Sequence, residues 1–400
     1  MRAQALQRVQ EFAPKMGRHY ARDRNVDKGP GQHTAVSGLS PFIRRRLVTE
    51  AELVSVALDH HGPENAEKFI QEVVWRSYFK GWLERRPAVW QAYWAGLAAD
   101  LEAVEGDRHL RSRLDAALAG ATPLACFNAW VAELLETGYL HNHARMWFAS
   151  IWIFTLGLPW RLGADFFYRH LLDGDPASNT LGWRWVAGLH TRGKAYEAKA
   201  WNIAKFTNQR FAPKDGELAR DIEPLDAEEP DGLPPLQPLR AVRPPDPALP
   251  TALLITEEDC CLEAFEPGRL QLCGAATLQA SALRSPLPVS DQVAQFEASA
   301  LEDAAARLDV TPVRLSAGDP ADLLRWVEES GARQIAMAYL PQGPLSDWME
   351  RAAPQLAAKG VTLGEWRRDW DATIWPHATA GFFKVKQKIS QILQTLESPS

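Results

Sequence analysis

Along one helical stretch, Glu72, Trp75, Arg76 and Phe79 stand at i, i+3, i+4 and i+7, so a carboxylate, an indole and a guanidinium share one face. That face could bind a ligand, or it could be a surface ion pair, Glu72 with Arg76, beside a half-buried indole. In TGYLHNHARM, Asn142, Arg145 and Met146 repeat the i, i+3, i+4 spacing. His141 and His143, two apart on a helix, point away from each other and make no simple metal pair. The segment DGDPASNTLGWRW gathers Asp173, Asp175, Asn179, Trp183 and Trp185. Two acids, an amide and two indoles are a set that turn, cap and core roles rarely assemble together. Asn179 and Trp183 lie one helical turn apart if the amide begins a helix. The loop Ser37-Gly38-Leu39-Ser40-Pro41 leads into an Arg-rich apolar stretch and offers hydroxyls and backbone amides at a helix start. Anions bind at such starts, although hydroxyls there also serve as plain helix caps.

These residues need a scaffold, and the composition supplies one. A chain of 400 residues, 46% hydrophobic and 24% charged, is globular and long enough for two domains, which excludes disordered and fibrous classes. No apolar run approaches the roughly 20 residues of a membrane-spanning helix, and the first residues lack the apolar stretch of a secretory signal. The expectation is a cytoplasmic protein with no membrane partner. The four cysteines form no CxxC pair, so reduced thiols and no metal site are expected. Eleven of the 16 tryptophans fall before residue 211, more than packing alone usually recruits. Charge is uneven as well: residues 1–210 carry 27 Lys+Arg against 21 Asp+Glu, and the remainder 17 against 29. The first half could therefore face a polyanion, or simply present a solvated surface.

Helical apolar spacing dominates the first half, predicting an all-α domain over residues 1–211. Helices are expected from Pro63 to about Arg86, from Leu124 through Gly138, and from His141 to Leu156. Residues 212–250 hold ten prolines in 39 positions, which makes them a stiff linker or a surface-hugging extended segment. From 251 to 400, short β-like runs (252–256, 269–273, 311–315, 334–339 and 361–366) alternate with helical stretches (291–308, 320–330 and 345–359). Such alternation predicts an α/β, Rossmann-like domain with a parallel, helix-flanked sheet. The tail FFKVKQKISQILQTL reads as an amphipathic docking helix with a basic edge formed by Lys384, Lys386 and Lys388; contact with DNA or a partner is the lesser reading.

Taken jointly and in order, SGLSP, EVVWRSYF, TGYLHNHARM, DGDPASNTLGWRW and NIAKFTNQRFAPKDG resemble the FAD-binding helical domain of the photolyase/cryptochrome family. The resemblance covers roughly residues 20–217 and is nearest to the cyclobutane pyrimidine dimer photolyases. It implies FAD as cofactor, with Ser37, Leu39 and Ser40 at the pyrophosphate, assisted by Arg76 and Tyr20. It places Asn179 at the flavin N5, and Asp173, Asp175 and Arg145 around the isoalloxazine and ribityl groups. By the same resemblance, Glu72, Asn142, Met146, Trp75 and Trp185 would receive a dimer flipped out of UV-damaged DNA, with Trp75 and Trp185 as walls. The (6-4) photolyases place a histidine pair there instead, which Asn142 speaks against. Light-driven electron transfer from FAD would split the dimer, and Trp183 and Trp160 match the inner and middle positions of an electron relay.

The chain departs from the family pattern in places. At the outer relay position an ungapped count gives Asp107, so either another indole such as Trp147, Trp152 or Trp94 completes the path or the relay is short. Asn128 and Ser77 stand where the family has acids, and the α/β domain follows the helical one instead of preceding it. The family's iron-sulfur branch uses four cysteines near the flavin, whereas three of four here lie in the second domain. The leading expectation is light-driven FAD-dependent repair of cyclobutane dimers by a lyase. The rival is a cryptochrome-type blue-light photoreceptor acting through a protein partner, and a third reading is a light-independent flavoprotein or DNA-binding module.

Overall fold

Thr49 opens the longest helix, Glu50–Glu84, with a capping box: its hydroxyl accepts from the Glu52 amide while the Glu52 carboxylate accepts from the Thr49 amide. Gly62, at φ 68° and ψ 169°, breaks this helix, and Pro63 restarts it, so the expected start at Pro63 is the second half of a kinked rod. The structure is a computed structural model describing residues 1–397. Two compact units emerge: one comprises Met1–Pro14, Leu39–Arg85 and the chain from Gln237 onward, the other Lys15–Gly38 and Arg86–Leu236.

The first unit is built on a five-stranded, wholly parallel sheet ordered β3-β2-β1-β4-β5, with β1 Pro250–Thr256, β2 Gln271–Gln279, β3 Val313–Ser316, β4 Gln334–Ala338 and β5 Thr362–Trp366. Helices Asp291–Arg307, Pro320–Ser330 and Pro344–Ala358 connect the strands, as a parallel sheet requires. β1 and β4 are buried almost throughout, consistent with coverage on both faces. The acidic run after β1 meets the arginines that follow the SGLSP loop. Arg44 binds Glu258 at 2.7 and 3.0 Å, Arg45 lies 3.1 Å from Glu257, and Arg46 reaches Asp371 at 2.6 Å. Arg368 clamps Asp259 at 2.6 and 2.8 Å. Three buried arginines and the half-buried Arg368 thus meet four buried acids, and the pairing of opposite charges offsets the cost of taking them out of water.

This network ties residues 44–46 to the sheet-bearing part of the chain, so the grouping differs from the sequential division expected at 211 and 250. The proline-rich segment contributes to both units and takes the surface-hugging form. Its Leu225 amide binds Ala187 O at 3.0 Å, and further along Gln237 N binds Arg85 O at 2.8 Å.

The second unit is helical: Arg18–Asp23, Pro87–Gly106, Arg108–Leu118, Ala125–Thr137, Asn142–Ser150, Trp160–His170, Pro176–Val186 and Ala200–Phe206, with a π-helical turn at Ile151–Thr155. Pro87 both stops the preceding helix and opens the next. The core is aromatic, with Trp130, Trp147, Trp152 and Trp160 fully buried. No described helix is long and apolar enough to cross a membrane.

Candidate functional site

Within the second unit, Asp175 caps Pro176–Val186 by accepting from the Ser178 amide at 2.8 Å. Asn179 therefore sits a turn inside this helix, not at its start, and still shares a face with Trp183. Asn179 Nδ2 donates to Ala164 O at 2.8 Å, which fixes the amide. Arg145 grips Asp173 through two bonds of 3.0 and 2.9 Å and donates Nε to Leu140 O at 2.8 Å. The pairing with Asp173 holds the Arg145 guanidinium above its ordinary range in spite of burial.

Around these residues, Trp183 is buried and Trp185 half-buried, the latter against Tyr196 at 5.4 Å. His141 caps Asn142–Ser150 by accepting from the His143 amide, and burial pushes its pKa down to about 4, so it is neutral near pH 7. Asn142 opens that helix exposed, and Met146 lies one turn on, half-buried. Tyr20 and Ser37 belong to this unit, each partly exposed.

Glu72, Trp75 and Arg76 lie on the second half of Glu50–Glu84 in the first unit, partly exposed, with Leu39 and Ser40 in the same unit. Trp75 meets Tyr78 and Phe79 edge-on at 6.0 and 5.9 Å, and Phe382 lies over it at 4.0 Å between centroids, tilted 36°. Ser77, where the family has an acid, accepts from Trp370 Nε1 at 2.6 Å. Asn128 is spent locally, donating Nδ2 to Thr122 O at 2.7 Å and accepting from the Thr122 amide at 3.0 Å.

The aromatic path is clearer than the sequence made it. Trp152 stands edge-on to Trp183 at 6.2 Å and donates to Pro159 O at 2.9 Å, next to Trp160. Trp160 lies 6.0 Å from Tyr93, which lies 6.2 Å from the half-buried Trp94. Asp107, at the counted outer position, only caps Arg108–Leu118. Tyr93 and Gly163 were missed, since neither stands out by type or spacing. Another unforeseen cluster, Asp27, His33 and Glu133, brings possible ligand atoms within 4.8 Å of one another. Protein groups occupy much of it: Glu133 binds His33 at 2.7 Å, and Asp27 accepts from Trp130 at 3.1 Å and Arg210 at 2.7 Å.

Residues 69–218 match the FAD binding domain of DNA photolyase. Over this stretch the chain is similar to that FAD domain. Among curated relatives, the deoxyribodipyrimidine photo-lyase of Streptomyces griseus is 37% identical over 163 residues, covering 39% of this chain and 33% of that one. The protein of the same name from Alkalihalophilus pseudofirmus is 30% identical over 198 residues, covering 48% and 39%. The chain thus spans between a third and two-fifths of the length of these two relatives. Among solved structures, a class III photolyase from Agrobacterium tumefaciens matches at 24% identity and TM-score 0.39, covering 52% of this chain and 42% of that one. A Synechocystis cryptochrome matches at 23% and 0.42, covering 52% and 43%.

FAD is the cofactor of this domain, as the motifs implied. In the second unit, Trp183 Nε1 is buried without a hydrogen-bond partner among the described residues, and the same unit carries the fixed amide of Asn179 and the acids Asp173 and Asp175. An indole N–H, an amide and acids are groups that can meet the polar edge of a heteroaromatic ring. In the first unit, Ser40 Oγ is likewise buried without a hydrogen-bond partner among the described residues.

Proposed function

We propose that the chain is a light-driven, FAD-dependent lyase that repairs cyclobutane pyrimidine dimers in DNA. The observation carrying the reading is the set Glu72, Trp75, Asn142, Met146 and Trp185, retained with the FAD domain and each at least partly exposed to meet a ligand. When bound, FAD supplies light-driven electron exchange. The protein's part is positional and electrostatic. Asn179, Asp173, Asp175 and Arg145 hold the ring system and ribityl chain, and Ser37, Leu39 and Ser40, with Tyr20 and Arg76, hold the pyrophosphate. Trp75 and Trp185 stack on the flipped lesion, while Asn142 and Glu72 hydrogen-bond it, with Met146 packed beside. Neutral His141 and the amide of Asn142 favour cyclobutane over (6-4) lesions. Trp183 and Trp160 carry electrons inward, and the contacts of Tyr93 point to Trp94 as the outer member.

The test is repair of a thymine-dimer oligonucleotide by the reduced protein in blue light, beside a dark control and Glu72→Ala. Light-dependent repair that falls about 10- to 100-fold in the variant, through loss of one hydrogen bond to a charged group, is expected. FAD photoreduction without any repair would instead assign the protein as a photoreceptor.

A further inference from the structure

The segment that follows β5 runs along the second half of Glu50–Glu84. Trp370 Nε1 donates to Ser77 Oγ at 2.6 Å, and Tyr78 Oη donates to Ala380 O at 2.9 Å. Phe382 lies over Trp75 at 4.0 Å and edge-on to Tyr78 at 5.5 Å, and Lys386 Nζ stands 3.6 Å from a Glu67 oxygen. Both ends of this run are anchored: Trp370 and Trp375 are buried on one side, and on the other Ile392 is buried in Ile389–Glu397, which packs on Asp369–Ile374. Between the anchors, residues 379–388 meet the helix through the buried Phe382, whose ring touches both Trp75 and Tyr78, through the Tyr78–Ala380 hydrogen bond and the buried Val385, and through an ion pair whose partners are 40% and 63% exposed and which so contributes little. Gly381, which precedes Phe382, is exposed, with open space where a side chain would stand.

Resting on the repair reading, we propose that residues 379–388 form a strap that occupies the lesion-stacking surface, with Phe382 taking the place on Trp75 that a pyrimidine would take. With its centroid 4.0 Å from that of Trp75, the Phe382 ring covers the indole face on which a base would stack, so one must leave for the other to bind. The strap also carries the means of its release. Lys384, Lys386 and Lys388 are exposed on it, beside Phe383, which is 67% exposed. DNA phosphates attract all three lysines and draw Lys386 away from Glu67, and Phe382 goes with them. Damaged DNA thus competes with the protein's own segment, which raises the threshold for binding.

The experiment uses the full-length, FAD-loaded protein and a duplex oligonucleotide with a single thymine dimer. Binding is read by fluorescence anisotropy, and hydrogen exchange is followed in peptides spanning 379–390. Exchange there is expected to rise several-fold on binding, and Phe382→Ala to bind about three- to tenfold tighter than wild type. Phe382→Trp should restore wild-type affinity. FAD absorbance checks that each variant is folded; if Phe382→Ala is not, Phe382→Leu replaces it, and the wild-type exchange result decides independently. Binding or repair by the wild type with 379–390 still protected overturns the strap and leaves the repair reading standing. Failure of wild type and Phe382→Ala alike to bind or repair the dimer overturns both.

Discussion

Gly163 lacks a side chain where two indoles already fill the space: a Cβ there would stand 2.3 Å from Trp183 and 2.9 Å from Trp152. Gly163→Ala must displace the innermost proposed relay ring, at an overpacking cost of about 1–3 kcal/mol. Slower photoreduction of bound FAD and a lower Tm are expected, whereas Trp183→Phe should abolish photoreduction with little change in Tm. Unchanged photoreduction in both variants would remove Trp183 from the electron path. At this scale the sequence was informative where spacing carries chemistry, as in Glu72, Trp75 and Arg76 or Asp173, Asp175 and Asn179. It was silent on Tyr93, whose contact with Trp160, 67 positions further on, joins two helices, and on Phe382, because nothing in a tail of apolar and basic residues says which indole it will cover.

Glu50–Glu84 shows how an element's role departs from its propensity. Replacing a helical glycine by alanine ordinarily stabilises by about 1 kcal/mol. At Gly81, however, a Cβ would come within 2.7–2.8 Å of Trp375, Cα included. The backbone contact leaves no flexible end to move, so Gly81→Ala should lower stability by about 1–3 kcal/mol in urea denaturation. A gain would show that Trp375 does not pack there. Element types were legible because periodicity reports them: Pro320–Ser330 and the strand cores of β1, β4 and β5 lie where their patterns fall. The second strand was read as residues 269–273 and runs Gln271–Gln279 instead. Its Gly274-Ala275-Ala276 stretch has weak strand propensity and is recruited by pairing with β1 on one side and β3 on the other. Pro87–Gly106 was not foreseen, since Pro87 was read only as a stop. The grouping into units lay beyond reach, resting on ion pairs between residues some 210 to 325 positions apart.

At the scale of the whole molecule, the two units bury different titrating groups and should answer acid differently. In the second, burial pushes His141 to about 4, His170 to about 4 and His190 to about 3. A histidine depressed in the folded state adds stability above its unfolded value of 6.5, lost as pH falls toward the folded value. For His141, only 1% exposed, the loss by pH 5 reaches up to about 2 kcal/mol. Asp100 opposes this in part, being raised by burial to about 6, so it becomes easier to accommodate as pH falls below that value. In the first unit the dominant groups act elsewhere. Burial and the nearby Glu257 carboxylate raise Glu297 to about 7, so its contribution is present below 4.5 and fades as pH rises through 7. The arginines around Glu257 hold that group down to about 2 despite burial, so its contribution fades only below 4.5. Lowering pH from 7 to 5 should therefore weaken the second unit while leaving the first as firm or firmer. Hydrogen exchange corrected for intrinsic rates is the measurement: amides of Ala125–Thr137 and Trp160–His170 should lose protection over that range, and those of β1 and β4 should not. Replacing His141 by Gln, which never takes up a proton, should flatten the response of the second unit. An equal loss in both units, or an unaltered slope in His141→Gln, would show that these histidines do not govern acid stability.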